Sequence, residues 1–254
     1  MRSVFRFLLP ALLAVAAMSA CSSSDTASDD ASGTSVESAL QPGSGRDQVN
    51  APGVTIQAMA PASYSGTLPC ADCPGISATL SVWPDSIYRL RYVYQERIVA
   101  PFISTGRWHV DNRELVLEGE SDQPQRWAML GADSLRMLDM DGNAIESDLP
   151  YSLTRLDSLD NIADVGNFVG TFIYMADAAT FRECASGRTV PVLMRGDYLA
   201  LERAYTRSKL PPGSGQQVQV EGRFLPRPAD MEGREREVFE VRRYIGPSAN
   251  LNCR

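Results

Sequence analysis

Ile76-Ser-Ala-Thr-Leu-Ser-Val-Trp83, the turn Pro84-Asp85, and Ile87-Tyr-Arg-Leu-Arg-Tyr-Val-Tyr94 decide the fold of this chain. Both runs alternate with the period of two that a half-buried strand requires. In the second, Tyr88, Leu90, Tyr92 and Tyr94 share one face while Arg89 and Arg91 take the other. Working outward, further short runs recur at intervals of about ten residues. Arg107-Trp-His-Val110 and Glu114-Leu-Val-Leu117 flank Asp111-Asn112, a compact hairpin signal. Arg126-Trp-Ala-Met-Leu130 and Leu135-Arg-Met-Leu138 follow, and Asp141-Gly142 makes another turn. An evenly spaced antiparallel meander predicts a small barrel, because closure removes exposed strand edges. We place this barrel over residues 64–157.

A second β domain is expected over 165–254. It opens with Phe168-Val-Gly-Thr-Phe-Ile-Tyr174 and continues with Val218-Gln-Val-Glu-Gly-Arg-Phe224 and Glu237-Val-Phe-Glu-Val-Arg-Arg-Tyr244. Between them, Tyr198, Leu201 and Tyr205 share the face of one helix over 198–207, with Asp197 as its expected cap. Strands with a single helix in the middle suit a five-stranded OB-type barrel. The fold class is therefore all-β, in two small domains.

The N-terminal end has a different character. Arg2 and Arg6 precede the apolar run Phe7-Leu-Leu-Pro-Ala-Leu-Leu-Ala-Val-Ala-Ala17, which has signal-peptide length and is too short to span a bilayer. Met18-Ser-Ala-Cys21 then resembles a bacterial lipoprotein box. On that reading residues 1–20 are a signal peptide and Cys21 is lipidated. The alternative is ordinary secretion with a cut after Ala20 and a free thiol. Ser22 is not the Asp that marks inner-membrane retention, so the resemblance points to the outer membrane. Residues 21–63 hold no aromatic residue before Tyr64 and are dense in Ser, Asp, Ala, Gly and Pro, the composition of a tether. A flexible coil of that length spans roughly 35 Å.

Composition excludes several functions. The net charge is −7 and the mildly basic last domain is too weakly charged to make nucleic acid a partner. One histidine, His109, cannot furnish the usual acid–base sets, and GxSxG, P-loop and HExxH motifs are absent. The chain reads as a non-enzyme.

Five cysteines remain to be placed. With Cys21 assigned to the lipid anchor, two pairs are left, Cys70/Cys73 in a CxxC and Cys184/Cys253 far apart. A Cys184–Cys253 bond would close about 70 residues, worth roughly 4 kcal/mol in the loop-entropy model. It would also tie down the tail after Gly246. A Cys70–Cys73 bond closes only about four, worth roughly 2 kcal/mol, so stability is a poor reason for it. Pro69 and Pro74 bracket the CxxC in a turn, not at a helix N-terminus, which argues against an oxidoreductase. Two readings stay open for it: a local disulfide, or two thiols for a soft ion such as Cu(I). A structural zinc needs two further ligands. Asp72 is a hard ligand, His109 reads as a solvated strand residue, and Met137 and Met140 read as core packing.

Several blocks together resemble the NlpE family of envelope lipoproteins. In the first domain they are Gly66-Thr-Leu-Pro-Cys-Ala-Asp-Cys-Pro-Gly-Ile76 and Leu135-Arg-Met-Leu-Asp-Met-Asp-Gly-Asn-Ala-Ile-Glu-Ser147. In the second they are Tyr174-Met-Ala-Asp-Ala-Ala-Thr-Phe-Arg-Glu-Cys-Ala-Ser-Gly187 and Leu201-Glu-Arg-Ala-Tyr205. The resemblance implies a lipocalin-like barrel followed by an OB-fold domain, with roles in copper homeostasis and Cpx-type envelope-stress signalling. It further implies outer-membrane lipid as a partner through Cys21, the lipoprotein sorting machinery, and the periplasmic domain of a Cpx-type sensor kinase. In the same light a Cys184–Cys253 disulfide acquires a sensing role, since a cell unable to form it would hold a loosened second domain. A copper-buffering protein is the alternative reading. A third is a barrel that binds a small apolar ligand among Tyr88, Tyr92 and Trp108.

Overall fold

Tyr64, Leu80, Leu90, Trp108, Leu115, Leu117, Trp127, Leu135 and Leu153 come from eight different strands and meet in one core. The computed structural model describes residues 61–254 apart from 120, 212, 232, 234, 235, 249–252 and 254. The expected signal peptide, Cys21 and nearly all of the tether lie outside these residues.

Eight antiparallel strands run up and down in chain order. They are β1 (Ala62–Leu68), β2 (Ile76–Val82), β3 (Ile87–Tyr94), β4 (Phe102–Asp111), β5 (Glu114–Glu118), β6 (Gln125–Met129), β7 (Ser134–Met137) and β8 (Ser152–Arg155). Pairing of Tyr64 with Arg155 closes the barrel. β1 opens at Ala62, two residues before the expected start at Tyr64. The interior is filled by side chains, as a barrel of eight strands permits. Trp108 is 2% exposed and its Nε1 donates to the Trp83 carbonyl at 3.0 Å. Tyr88 is 3% exposed, and the partly buried Tyr92 packs against the core. Of the three residues expected to line a ligand pocket, Trp108 and Tyr92 pack in or against the core, while Tyr88 also borders a cavity. An open cavity of about 420 Å³ lies between β3, β4 and β5 of the barrel and the start of the next domain. Phe102, Ile103, Leu117, Val165 and Glu221 line it.

The second domain contains β9 (Gly166–Met175), β10 (Ala178–Glu183), β11 (Thr189–Pro191), α1 (Tyr198–Arg207), β12 (Gln216–Pro226) and β13 (Glu237–Pro247). Its sheet order is β11-β10-β9-β12-β13. The sheet curls until its edges meet: Val192, just past β11, bridges Phe239 of β13 in parallel, and Leu193 N–H donates to the Phe239 carbonyl at 2.9 Å. That near-closure, with the helix between the third and fourth strands, is the OB arrangement. Phe168, Phe172, Phe181, Phe224 and Phe239 form its aromatic centre, with Tyr198, Leu201 and Tyr205 of α1 packed on it. The helix falls on the expected residues with Asp197 at its N-cap, but the Asp197 side chain makes no capping hydrogen bond. Its Oδ2 accepts from the Tyr244 amide at 2.7 Å, so the carboxylate fastens β13 instead.

Barrel and second sheet belong to one compact unit. The connector (156–165) lies on the outer face of β3, where Arg91 donates to Asp160 at 2.7 Å and to Asp164 at 2.8 Å. Ile103 of β4 and Ile162 of the connector complete the core of the second domain.

Candidate functional site

The CxxC occupies the loop between β1 and β2, whose register pairs Leu68 with Ile76. It therefore stands at the rim of the barrel. Cys70 and Cys73 are bridged, with Cα atoms 5.3 Å apart. Asp72 between them is held by the next rim loop: Arg97 Nη2 donates to its Oδ2 and to its main-chain carbonyl, each at 2.6 Å. Gln95 reinforces the contact, its main-chain N–H donating to the Gly75 carbonyl at 3.0 Å. The same loop exposes Ile98 and Val99.

In chemical terms the bridged form has no lone thiolate to offer. Opened, it would present two soft thiolates beside the Asp72 carboxylate, since these three ligand atoms lie within 4.8 Å of one another. Among the described residues the one helix, α1, lies in the other domain, so no helix N-terminus there activates either sulfur. His109, expected as a solvated strand residue, is exposed on β4 and is not in this cluster. Met137 packs against the barrel core, but Met140 is 75% exposed and does not, contrary to the expectation of core packing.

The second pair lies in the other domain. Cys184 sits in the turn between β10 and β11 and is bridged to Cys253, with Cα atoms 4.4 Å apart. Cys253 Sγ stands 3.8 Å from both Thr171 Oγ1 and Gln217 Nε2, so Cys253 lies against β9 and β12. Glu183 builds the turn. Its buried carboxylate accepts from the amides of Ala185 at 2.8 Å and Ser186 at 2.7 Å, and from Ser186 Oγ. Burial pushes the Glu183 carboxyl above the ordinary range, opposed by those same hydrogen bonds.

A third group of residues escaped the sequence reading. Glu237 at the start of β13 accepts two hydrogen bonds from Arg89 of β3, both 2.8 Å long. Arg188, four residues beyond Cys184, pairs with the same carboxylate at 2.9 Å. Burial works to raise the Glu237 carboxyl, but the Arg89 bonds and the charges of Arg89, Arg188 and Arg236 outweigh it and hold it below the usual range. The alternation of β3 put Arg89 on the outward face. Nothing local announced what covers that face.

Comparison with known proteins settles the family. Models of the NlpE N-terminal domain and the NlpE C-terminal OB domain match residues 64–148 and 162–254. Lipoprotein NlpE of Escherichia coli strain K12 is 34% identical over 166 residues, spanning 65% of this chain and 68% of that protein. The chain belongs to the NlpE family. Among solved structures, that of the Cpx pathway activator NlpE from Escherichia coli is 30% identical, covering 76% of this chain and 97% of its own, with a TM-score of 0.32. A lipoprotein from Shewanella oneidensis is 29% identical, covering 42% and 99%, with a TM-score of 0.35. In this NlpE-family chain the matched segments take in both cysteine pairs, the CxxC in the N-terminal domain and Cys184/Cys253 in the C-terminal one.

Proposed function

We propose that this protein is a non-enzymatic lipoprotein of the outer membrane, anchored through Cys21, that activates an envelope-stress response. Its tether holds the body clear of the lipid. When the lipoprotein sorting machinery fails, the protein stays at the inner membrane, where the body meets the periplasmic domain of a Cpx-type sensor kinase. Family membership supports this reading, as does the relative described as a Cpx pathway activator. The observation that carries the redox part is the bridge from the β10–β11 turn to Cys253, which fastens the end of the OB domain. A compartment unable to form that bond would hold an OB domain with a loose end.

The test is pathway output in cells carrying single substitutions. Cys184→Ala is expected to raise the output of a stress reporter, while Cys70→Ala leaves it at the parental level. Two silent variants would discredit the redox reading.

A second reading has its own observation, the clustering of Cys70, Cys73 and Asp72. On it the opened CxxC binds Cu(I) through two thiolates, so the protein buffers or reports copper. Competition with a chromophoric Cu(I) chelator is expected to give markedly weaker binding for the reduced Cys70→Ser/Cys73→Ser protein. Equal affinities would sink it.

A further inference from the structure

Three chain segments that are remote in sequence meet at one buried carboxylate. Glu237 of the OB domain and Arg89 of the barrel have side chains only 8% and 1% exposed. The Arg89 guanidinium lies 4.1 Å from the ring of Phe224 in the OB domain and 5.1 Å from that of Trp83 in the barrel. Its Nη1 also donates to the Asn161 carbonyl of the connector at 3.0 Å. Arg188 adds the third charge, from the turn that holds Cys184. At the margin Arg236 pairs with Asp85 at 3.0 Å.

Such a contact suits a joint that opens. Desolvated ion pairs stabilise an interface little better than apolar side chains of the same size, and often worse. Their charges regain hydration when the two sides part, so separation costs less than exposing an apolar core of equal area. The geometry is nonetheless selective, because a bidentate guanidinium–carboxylate pair tolerates little displacement.

The joint is also wired to the second disulfide. Arg188 is positioned by the β10–β11 turn: the Glu183 amide donates to the Arg188 carbonyl at 2.8 Å, and the Gly187 amide to the Glu183 carbonyl at 2.9 Å. The Cys184–Cys253 bond anchors this turn to the chain end. Reduction by a dithiol gives the two sulfurs two electrons and two protons, breaks the S–S bond to two thiols, and turns the dithiol into a disulfide. The turn then loses its covalent anchor and Arg188 its fixed position. We infer that the Arg89–Glu237–Arg188 cluster is a latch closing the OB domain on the barrel, and that the Cys184–Cys253 bond sets it. This rests on the redox reading above and supplies its missing mechanical step, by which loss of a bond in one domain frees the outer face of the other.

Hydrogen exchange on the full-length chain in mild detergent tests it, read at the connector amides (157–164) with the strands β5 and β6 as an internal control. Arg89→Met is expected to speed connector exchange at least about tenfold while β5 and β6 keep parental rates. Cys184→Ala/Cys253→Ala should raise the same connector amides. Arg188→Met, which keeps the OB domain stapled, should raise them while β9 and β12 stay protected. Parental connector rates in Arg89→Met would overturn the latch. Parental rates in Arg188→Met, or a Cys-pair variant that loosens only β9, β10 and the chain end, would overturn its link to the disulfide. Because no kinase takes part, a redox-linked latch with a silent reporter would count against the signalling reading alone. Unchanged exchange with a responsive reporter would count against the latch alone.

Discussion

Asn112 and Arg113, at φ +46° and +69°, are the two central residues of the β4–β5 hairpin. The sequence points to Asp111-Asn112; the turn lies one residue later, because Asp111 still pairs with Glu114. Two successive positive φ values match the type I′ turn that agrees with strand twist, where Asn followed by Gly is favoured. Arginine is poorly suited to the second position, since a Cβ there crowds the following carbonyl. Arg113→Gly is therefore expected to stabilise the barrel by about 0.5–1 kcal/mol, read as a raised urea midpoint at unchanged slope. Asp197 teaches the complementary lesson. Its type and place before α1 are those of a cap, yet its carboxylate is taken by an amide 47 residues away. Propensity named the residue correctly and its partner wrongly, because a strand amide competed successfully for the same oxygen.

At the scale of elements, the two disulfides constrain very different lengths of chain. The bond across a sequence separation of 69 is expected to contribute up to about 4 kcal/mol, and that across a separation of 3 no more than about 2 kcal/mol. All three tryptophans, Trp83, Trp108 and Trp127, lie in the barrel segment, so tryptophan fluorescence follows the barrel while far-UV circular dichroism follows both domains. Cys184→Ala/Cys253→Ala should split the two signals, with the dichroism transition moved to lower temperature and the fluorescence transition nearly in place. Coincident transitions at a lower temperature would mean that the OB domain and barrel unfold as one. Most strands of both domains were legible from alternation; β1 and β8, which close the barrel, and β10 and β11 were not. β11 has three residues and is held by pairing with β10 and, just beyond it, by the parallel bridge from Val192 to Phe239, which no local pattern encodes.

For the whole molecule, the contact between domains has a pH dependence whose sign can be worked out. Glu237 is held below the ordinary carboxylate range, so its contribution is present above the pKa of the unfolded chain and is lost as pH falls through the lowered folded value. Glu183, raised by burial, works oppositely: the stability it withholds at neutral pH returns as it takes up a proton. Substituting one of them separates the two. In the parent, connector protection should fall as the pH drops below the ordinary carboxylate range. Glu237→Gln should begin with weaker protection at neutral pH and lose little more in acid. A parental acid profile in that variant would assign the loss to another group.

The sequence by itself determined the periodic and the local. Side-chain alternation placed most of the strands, spacing placed α1, and the position of each cysteine divided the five among an expected anchor and two pairs. It also determined that Arg89 points away from the barrel interior. Only the tertiary structure decided that this outward face is buried, because the carboxylate that meets Arg89 lies 148 residues further along the chain. A period of two tells which side of a strand a group takes. What waits on that side depends on how two separately encoded domains pack, and that is settled by desolvation and pairing of charges at long range.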